Sequence, residues 1–200
     1  PDLFNKFIED IAILYKLGLT IIIVHGGGPR IKIELAKLNI ESQFINGLRV
    51  TDKQTMEVVE KALVDFNSEI IEKLKEKACK VGGLNVSQNN IFIVEQENKN
   101  LGFVGKPKKI LNEKIQTIVN QQQIPIISPM GKDNEGKKYN INADTAAAAI
   151  AKSLKSRRLL LMTDVAGVYD ENKKLINEIN PAEAKNLMDK KIVEGGMIPK

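Results

Sequence analysis

Leu3, Phe4, Phe7, Ile8, Ile11, Leu14 and Tyr15 recur three and four positions apart, the spacing of a helix with one buried face. Gly18 stands where that helix is expected to end. Thr20 to Val24 (TIIIV) is a β-branched run, expected as a buried strand. His25-Gly26-Gly27-Gly28-Pro29 follows at once, and a second helical pattern begins at Ile31 with Leu35 and Leu38 behind it. The order is strand, glycine turn, helix.

A longer helix is expected from Thr51, where Thr51-Asp52-Lys53-Gln54 has the form of a capping box. Met56, Val59, Leu63, Phe66, Ile70 and Leu74 give it an apolar stripe, suited also to pairing across a two-fold axis, and Gly82-Gly83 lies beyond its end. Ile91 to Val94 reads as a strand, forming a hairpin with the run Leu101 to Gly105. A helix over 113–121 leads to the apolar strand Ile124 to Ile127, and the polar stretch Gly131 to Lys138 reads as a second hairpin. Asn142 is placed to cap an alanine-rich helix from Ala143 to Leu154, whose small side chains suggest close packing on a sheet. Leu159 to Met162 is expected as a strand with an exit loop from Thr163 to Gly167, and Asn180-Pro181-Ala182-Glu183 opens a last helix. Strands alternating with helices, the strands nearly continuous in apolar residues, indicate an α/β layered fold around a mainly parallel sheet.

Composition narrows the class. With 42% hydrophobic and 28% charged residues over 200 positions, the chain has the balance of a globular domain with a sizeable core. The apolar stretch from Leu17 to Val24 is far too short to span a bilayer. A single cysteine, Cys79, leaves no disulfide framework, which suits the cytoplasm, and reads as a small buried hydrophobe. The net charge of +5 comes from lysines scattered among acidic residues, and aromatics are only 4%. No basic stripe interleaved with stacking rings is present, so nucleic-acid binding is not indicated. An excess of positive charge suits an enzyme with anionic ligands. Pro1 is not an initiator methionine, and the loop Gly195 to Lys200 should lead into something further, so the chain reads as an excerpt.

The glycine loop carries the first chemistry. Glycines after a parallel strand let the backbone approach an anion, and their N–H groups add to the helix N-terminus. The loop is not a dinucleotide fingerprint, because the last position of that pattern falls on Ile31, and it lacks a Walker ending. That removes a nicotinamide-dependent dehydrogenase. His25, the only histidine, reads as a strand-end residue bonded to backbone rather than as a general base. Arg49, in Asn46-Gly47-Leu48-Arg49-Val50-Thr51-Asp52, is either a fork for a carboxylate or a surface partner of Asp52 or Glu57. In Tyr139-Asn140-Ile141-Asn142-Ala143-Asp144, capping explains Asn142 and the helix dipole favours Asp144, whereas Asn140 has no local explanation and is free to face a ligand.

Taken in order, HGGGP, NGLRVTD, YNINADT, LLLMTDVAGVYD and GGMIPK resemble the amino-acid kinase family, specifically its acetylglutamate kinases, from about Phe4 to Lys200. The resemblance implies a three-layer α/β/α sandwich, a single domain incomplete at both ends, with 1–135 as acceptor-binding and dimerisation part and 136–200 starting the nucleotide-binding part. It implies ATP-dependent phosphorylation of the γ-carboxylate of N-acetyl-L-glutamate in arginine biosynthesis, in the cytoplasm, by a homodimer or higher homo-oligomer. Mg²⁺ would come with the ATP, with no metal site of the protein's own. By the same resemblance, Gly27 and Gly28 contact substrate and the transferred phosphoryl group, and Arg49 and Asn140 hold the acceptor. Asp144 orients catalytic lysines, and Lys200 is the lysine on the nucleotide side. Thr163, Asp164, Gly167, Gly196 and Met197 line the ATP site. The family's opening strand, with its phosphoryl-contacting lysine, would precede Pro1. Val64 to Asn67 and Asn85 to Asn89 depart from the glycine- and lysine-richer versions expected. Two other readings stay open: a kinase for an α-aminoadipate derivative, longer by one methylene, and an inactive nucleotide- or amino-acid-sensing module.

Overall fold

The computed structural model describes residues 2–163, 165–193 and 195–198. Its central sheet is parallel, in the order β1 (Ile23–Val24), β7 (Ile124–Ile127), β4 (Val81–Leu84). All four residues of β7 are buried, as befits a strand covered on both faces. One layer is made by α1 (Asp2–Lys16) and α3 (Lys53–Glu76); Ile8, Ile11, Ile70 and Leu74 pack there with Ile124 and Ile126. The other layer holds α4 (Asn112–Asn120) and α5 (Ala143–Ser153), with Ile115, Ala146 and Ile150 packed alongside Ile127. This is the expected α/β sandwich. A second sheet runs β6 (Gly105–Ile110), β5 (Phe92–Gln96), β8 (Met130–Lys132), β9 (Lys138–Asn140).

The first strand is shorter than expected, and Pro125 explains why. Ile124 and Ser128 donate their N–H groups to Lys80 and Leu84 on the β4 side, whereas Ile127 accepts from His25 on the β1 side. Odd-numbered positions of β7 therefore face β1, and Pro125 among them has no N–H to offer the stretch before Ile23. The ladder begins at Ile23.

Other expectations shift or fail. The cap of α3 is Asp52, which accepts from the Thr55 N–H at 2.7 Å, one residue beyond the expected Thr51. The apolar stripe of α3 is spent inside the chain, with Met56, Val59 and Leu63 packed against Ile31 and Leu35 of α2 (Gly28–Lys37). Its outer face carries Glu57, Lys61, Asp65 and Glu72 instead, so that stripe is not available to a second subunit. The first hairpin pairs β5 with the lysine-rich β6 (GKPKKI), further on than the expected Leu101–Gly105. Leu159 to Met162 is not a strand: Leu160 is 75% and Met162 72% exposed, with no neighbouring strand among the described residues. The helix α6 (Pro181–Asp189) is opened by Asn180 and Glu183 in a reciprocal capping box, as expected. Asn142 caps α5 through the Thr145 N–H at 2.9 Å. Cys79 is buried. Among the described residues no helix is long and apolar enough to cross a membrane.

Candidate active site

The glycine loop leaves the sheet where β1 and β7 end. The His25 N–H still bonds to the Ile127 carbonyl at 3.1 Å; Gly26 and Gly27 then turn the chain into α2, whose N-cap is Gly27. Among the described residues no acceptor takes the N–H of Gly27 or Gly28. The first residue of α5 stands beside the loop, since a Cβ placed on Gly26 would lie 3.6 Å from that of Ala143. Two helix N-termini and the free glycine donors therefore converge on one place, and all favour an anion there.

That place is a pocket of about 160 Å³ lined by Gly26, Gly27, Gly28, Arg49, Asn140 and Ala143, among others. Arg49 reaches it from a hairpin the sequence reading treated as loop: β2 (Phe44–Ile45) and β3 (Leu48–Arg49) flank Asn46-Gly47, both at positive φ. Asn-Gly in that conformation is the tight-turn signal. Arg49 is only 9% exposed. Its Nη1 donates to Ser42 Oγ, its Nη2 lies 3.4 Å from the Gly28 carbonyl, and its guanidinium sits 4.7 Å from the Phe44 ring centre. Burial lowers its pKa, but a guanidinium stays charged. Among the described residues no carboxylate pairs with it; Asp52 is engaged in capping. A buried, charged fork with only neutral partners is built for an anionic ligand.

Asn140, on β9, lines the same pocket, with Nδ2 3.5 Å from Thr51 Oγ1. Thr51 Oγ1 itself donates to the Arg49 carbonyl at 2.8 Å, so one buried hydroxyl ties the two pocket-lining residues together. Asp144 lies in the first turn of α5, half-buried and partnered. Thr163, Gly167, Gly196 and Met197 are not among the residues lining this pocket; Gly196 and Met197 belong to a short 3-10 turn. Lys200 and Asp164 lie outside the described residues. A wider groove of about 1010 Å³ adjoins the pocket across Gly28, Phe44 and Arg49, with Lys32 and Ser42 on its wall.

His25 sits beneath the loop, buried, and its network settles its tautomer. Asn67 Nδ2 lies 3.0 Å from His25 Nε2 and donates to the Ile126 carbonyl, also at 3.0 Å. The carbonyl requires a donor, which fixes the orientation of the amide, so Nε2 must accept. The ring proton is then on Nδ1, 3.0 Å from the Gly26 carbonyl. Burial pushes the imidazole pKa down to about 4; the bond to Gly26 opposes that, and the charge of Arg30 adds to it. The ring is neutral with both nitrogens engaged, as befits the backbone-bonded reading rather than a general base.

Sequence reasoning missed Ser42, Phe44 and Thr51 as holders of Arg49, and Asn67 as holder of His25. The Asn-Gly pair was a signal for the first group. Asn67, a polar residue flanked by Phe66 and Ile70 on a helix stripe, was the signal for the second. Among the described residues no group of three or more His, Cys, Asp or Glu is placed to hold a metal ion.

The whole chain, residues 1–200, matches the amino acid kinase family. It is 52% identical over 200 residues to an acetylglutamate kinase of Pelagibacter ubique (strain HTCC1062), covering 100% of this chain and 69% of that protein. An acetylglutamate kinase of Caldicellulosiruptor saccharolyticus is 43% identical over 206 residues, covering 98% of this chain and 70% of the relative. Among solved structures, smu.665 from Streptococcus mutans UA159 superimposes with a TM-score of 0.90 at 32% identity, over 96% of this chain and 79% of that one.

Proposed function

The chain belongs to the amino acid kinase family, and we propose that it transfers the γ-phosphoryl group of ATP to the γ-carboxylate of N-acetyl-L-glutamate. The product is N-acetylglutamyl 5-phosphate, an acyl phosphate of arginine biosynthesis. The observation that carries this reading is the buried Arg49 fork, without a carboxylate partner among the described residues, in the same pocket as the unengaged N–H groups of Gly27 and Gly28. The likeness to the acetylglutamate kinases of Pelagibacter ubique and Caldicellulosiruptor saccharolyticus supports it.

The acceptor carboxylate, with an ordinary pKa of about 4.3, is ionised at neutral pH and needs no base. The difficulty is to bring two anions together and spread the charge of the transferring oxygens, which is positioning and electrostatics. Arg49 and Asn140 hold the α-carboxylate end of the acceptor. Gly27 and Gly28 offer N–H groups to the reacting carboxylate and the phosphoryl oxygens, assisted by the N-termini of α2 and α5. Asp144 orients lysine ammonium groups, and Lys200 supplies one on the nucleotide side. Thr163, Asp164, Gly167, Gly196 and Met197 line the ATP site. ATP arrives as its Mg²⁺ complex, the ion lowering repulsion between the two anionic substrates. Residues 1–135 form the acceptor-binding part and 136–200 begin the nucleotide-binding part. The enzyme acts in the cytoplasm as a homodimer or larger homo-oligomer.

The test is ATP-dependent acyl-phosphate formation trapped with hydroxylamine, comparing N-acetylglutamate, glutamate and N-acetyl-α-aminoadipate. Hydroxamate with N-acetylglutamate alone is expected. Preference for the longer acid would replace the substrate and keep the chemistry, whereas no product from folded, ATP-binding protein would favour a sensing module.

A further inference from the structure

The face of α3 turned to the glycine loop carries Leu63, Phe66 and Asn67, residues three and four apart and thus on one side of the helix. Each touches the loop differently. A Cβ on Gly27 would lie 2.7 Å from Leu63 Cδ2, so the loop is packed down onto that side chain. The Phe66 ring meets the His25 ring edge-on, 5.3 Å between centres, and Arg30 lies over Phe66 at 4.1 Å while pairing with Glu69 at 2.6 Å. Asn67, 1% exposed, is the only one of the three that bonds to the histidine, and it does so while anchored to the central strand through Ile126.

The consequence runs along one peptide unit. The carbonyl of Gly26 and the N–H of Gly27 belong to the same planar trans peptide and point in opposite directions. The His25 Nδ1–H holds that carbonyl beneath the loop, so it also sets where the Gly27 N–H points. A glycine loop is otherwise free to flip such a peptide. We propose that Asn67 is a positioning residue for the phosphoryl transfer: by donating a hydrogen bond to Nε2 and accepting none from it, it keeps the His25 proton on Nδ1, and through the Gly26 carbonyl it aims the Gly27 N–H into the acceptor pocket. The proposal rests on the reading above in which that N–H contacts the reacting groups. Neither Asn67 nor His25 touches substrate.

A merely structural role for Asn67 predicts lower stability and unchanged chemistry; the positioning role predicts that turnover follows the ring tautomer. His25 is the only histidine of the sequence, so its ring ¹⁵N signals are assigned without ambiguity. In the folded wild-type protein at pH 8 they are expected to report Nδ1–H and unprotonated Nε2. Asn67→Asp offers Nε2 an acceptor where it had a donor, and the proton is expected to move to Nε2. With the Gly26 carbonyl released, kcat should fall roughly tenfold to a hundredfold, less than the roughly hundredfold to thousandfold of deleting an aimed donor outright, with KM for ATP unchanged. Melting curves establish that the variant is folded at the assay temperature. An Nε2–H ring in the wild type overturns the proposal whether or not the variant folds. So does a variant ring that keeps its Nδ1 proton, or one that loses it with kcat unchanged. The ring signals need no substrate, so absence of product from wild-type protein would count against the functional reading and leave the tautomer result to be judged separately.

Discussion

The Nη2 of Arg49 lies 3.4 Å from the carbonyl oxygen of Gly28, so the β2–β3 hairpin is tethered to the glycine loop through the side chain assigned to the acceptor. Ser42 holds the other arm of the fork and Phe44 covers its plane. Lysine would keep the charge but not the fork, and would lose the stacking. Arg49→Lys is therefore expected to raise KM for the acceptor roughly tenfold to a hundredfold, the range of one charge-assisted bond, with a smaller change in kcat. Steady-state kinetics with both substrates varied decide it: a rise confined to KM for ATP would remove Arg49 from the acceptor site.

Gly27 and Gly28 are adjacent but differ in what surrounds them. A methyl group on Gly27 would meet Leu63 Cδ2 at 2.7 Å, whereas one on Gly28 would meet nothing within 4 Å. Gly27→Ala should destabilise by about 1–3 kcal/mol through overpacking, a fall of several degrees in Tm. Gly28→Ala should leave Tm unchanged or slightly higher, since alanine suits a helix start better than glycine, yet lower kcat/KM at least about tenfold by standing where the anion approaches. Paired melts and assays separate the two effects. Unchanged kinetics in Gly28→Ala would mean that the ligand does not approach there.

The layers were legible because periodicity encodes burial. The 3.6-residue stripe of α3 and the apolar run of β7 each name a face with nowhere to go but a core, and the glycine loop falls between strand and helix as its sequence indicated. What the pattern could not convey was pairing across the sheet. Nothing near Thr20 says that Pro125, on the neighbouring strand, withholds the bond that would lengthen β1. Lys106, Lys108 and Lys109 hide β6, because an edge strand keeps charge on its exposed side. Likewise Arg49 was singled out by its motif, while Ser42, Thr51 and Phe44 meet it only once the hairpin folds. His25 and Asn67 are 42 residues apart, and no local rule joins them.

Asp144 and Lys200 test the nucleotide side of the site. An acidic residue in the first turn of α5 is favoured by the helix dipole, about 0.3–1 kcal/mol, so Asp144→Asn should lower Tm only slightly. If it also orients lysines at the transferred phosphoryl group, kcat should fall by far more than that stability loss accounts for. Lys200→Ala should do the same, with substrate KM values little changed. A kcat within twofold of wild type in either variant would remove that residue from the catalytic set.

The buried histidine also predicts how stability depends on pH. In the unfolded chain His25 titrates near its ordinary 6.5, but in the folded protein burial holds it at about 4. Above pH 6.5 the ring is neutral in both states and contributes no pH dependence. Between the two values the unfolded chain binds the proton and the folded one does not, so stability falls as pH drops through that window. The loss is largely complete near pH 4 and amounts to roughly 3 kcal/mol by proton linkage. Arg30, paired with Glu69, is the charged group that adds to the depression. Carboxylates titrate over part of the same range, so the comparison needed is with His25→Gln, which keeps them and removes the imidazole. Urea unfolding from pH 7 to pH 4 should show the wild type losing more stability than His25→Gln, with the gap between the curves opening below pH 6.5. Parallel curves would mean that His25 takes up its proton as readily in the folded protein as in the unfolded chain, and that the neutral ring between Asn67 and Gly26 is not what the fold selects.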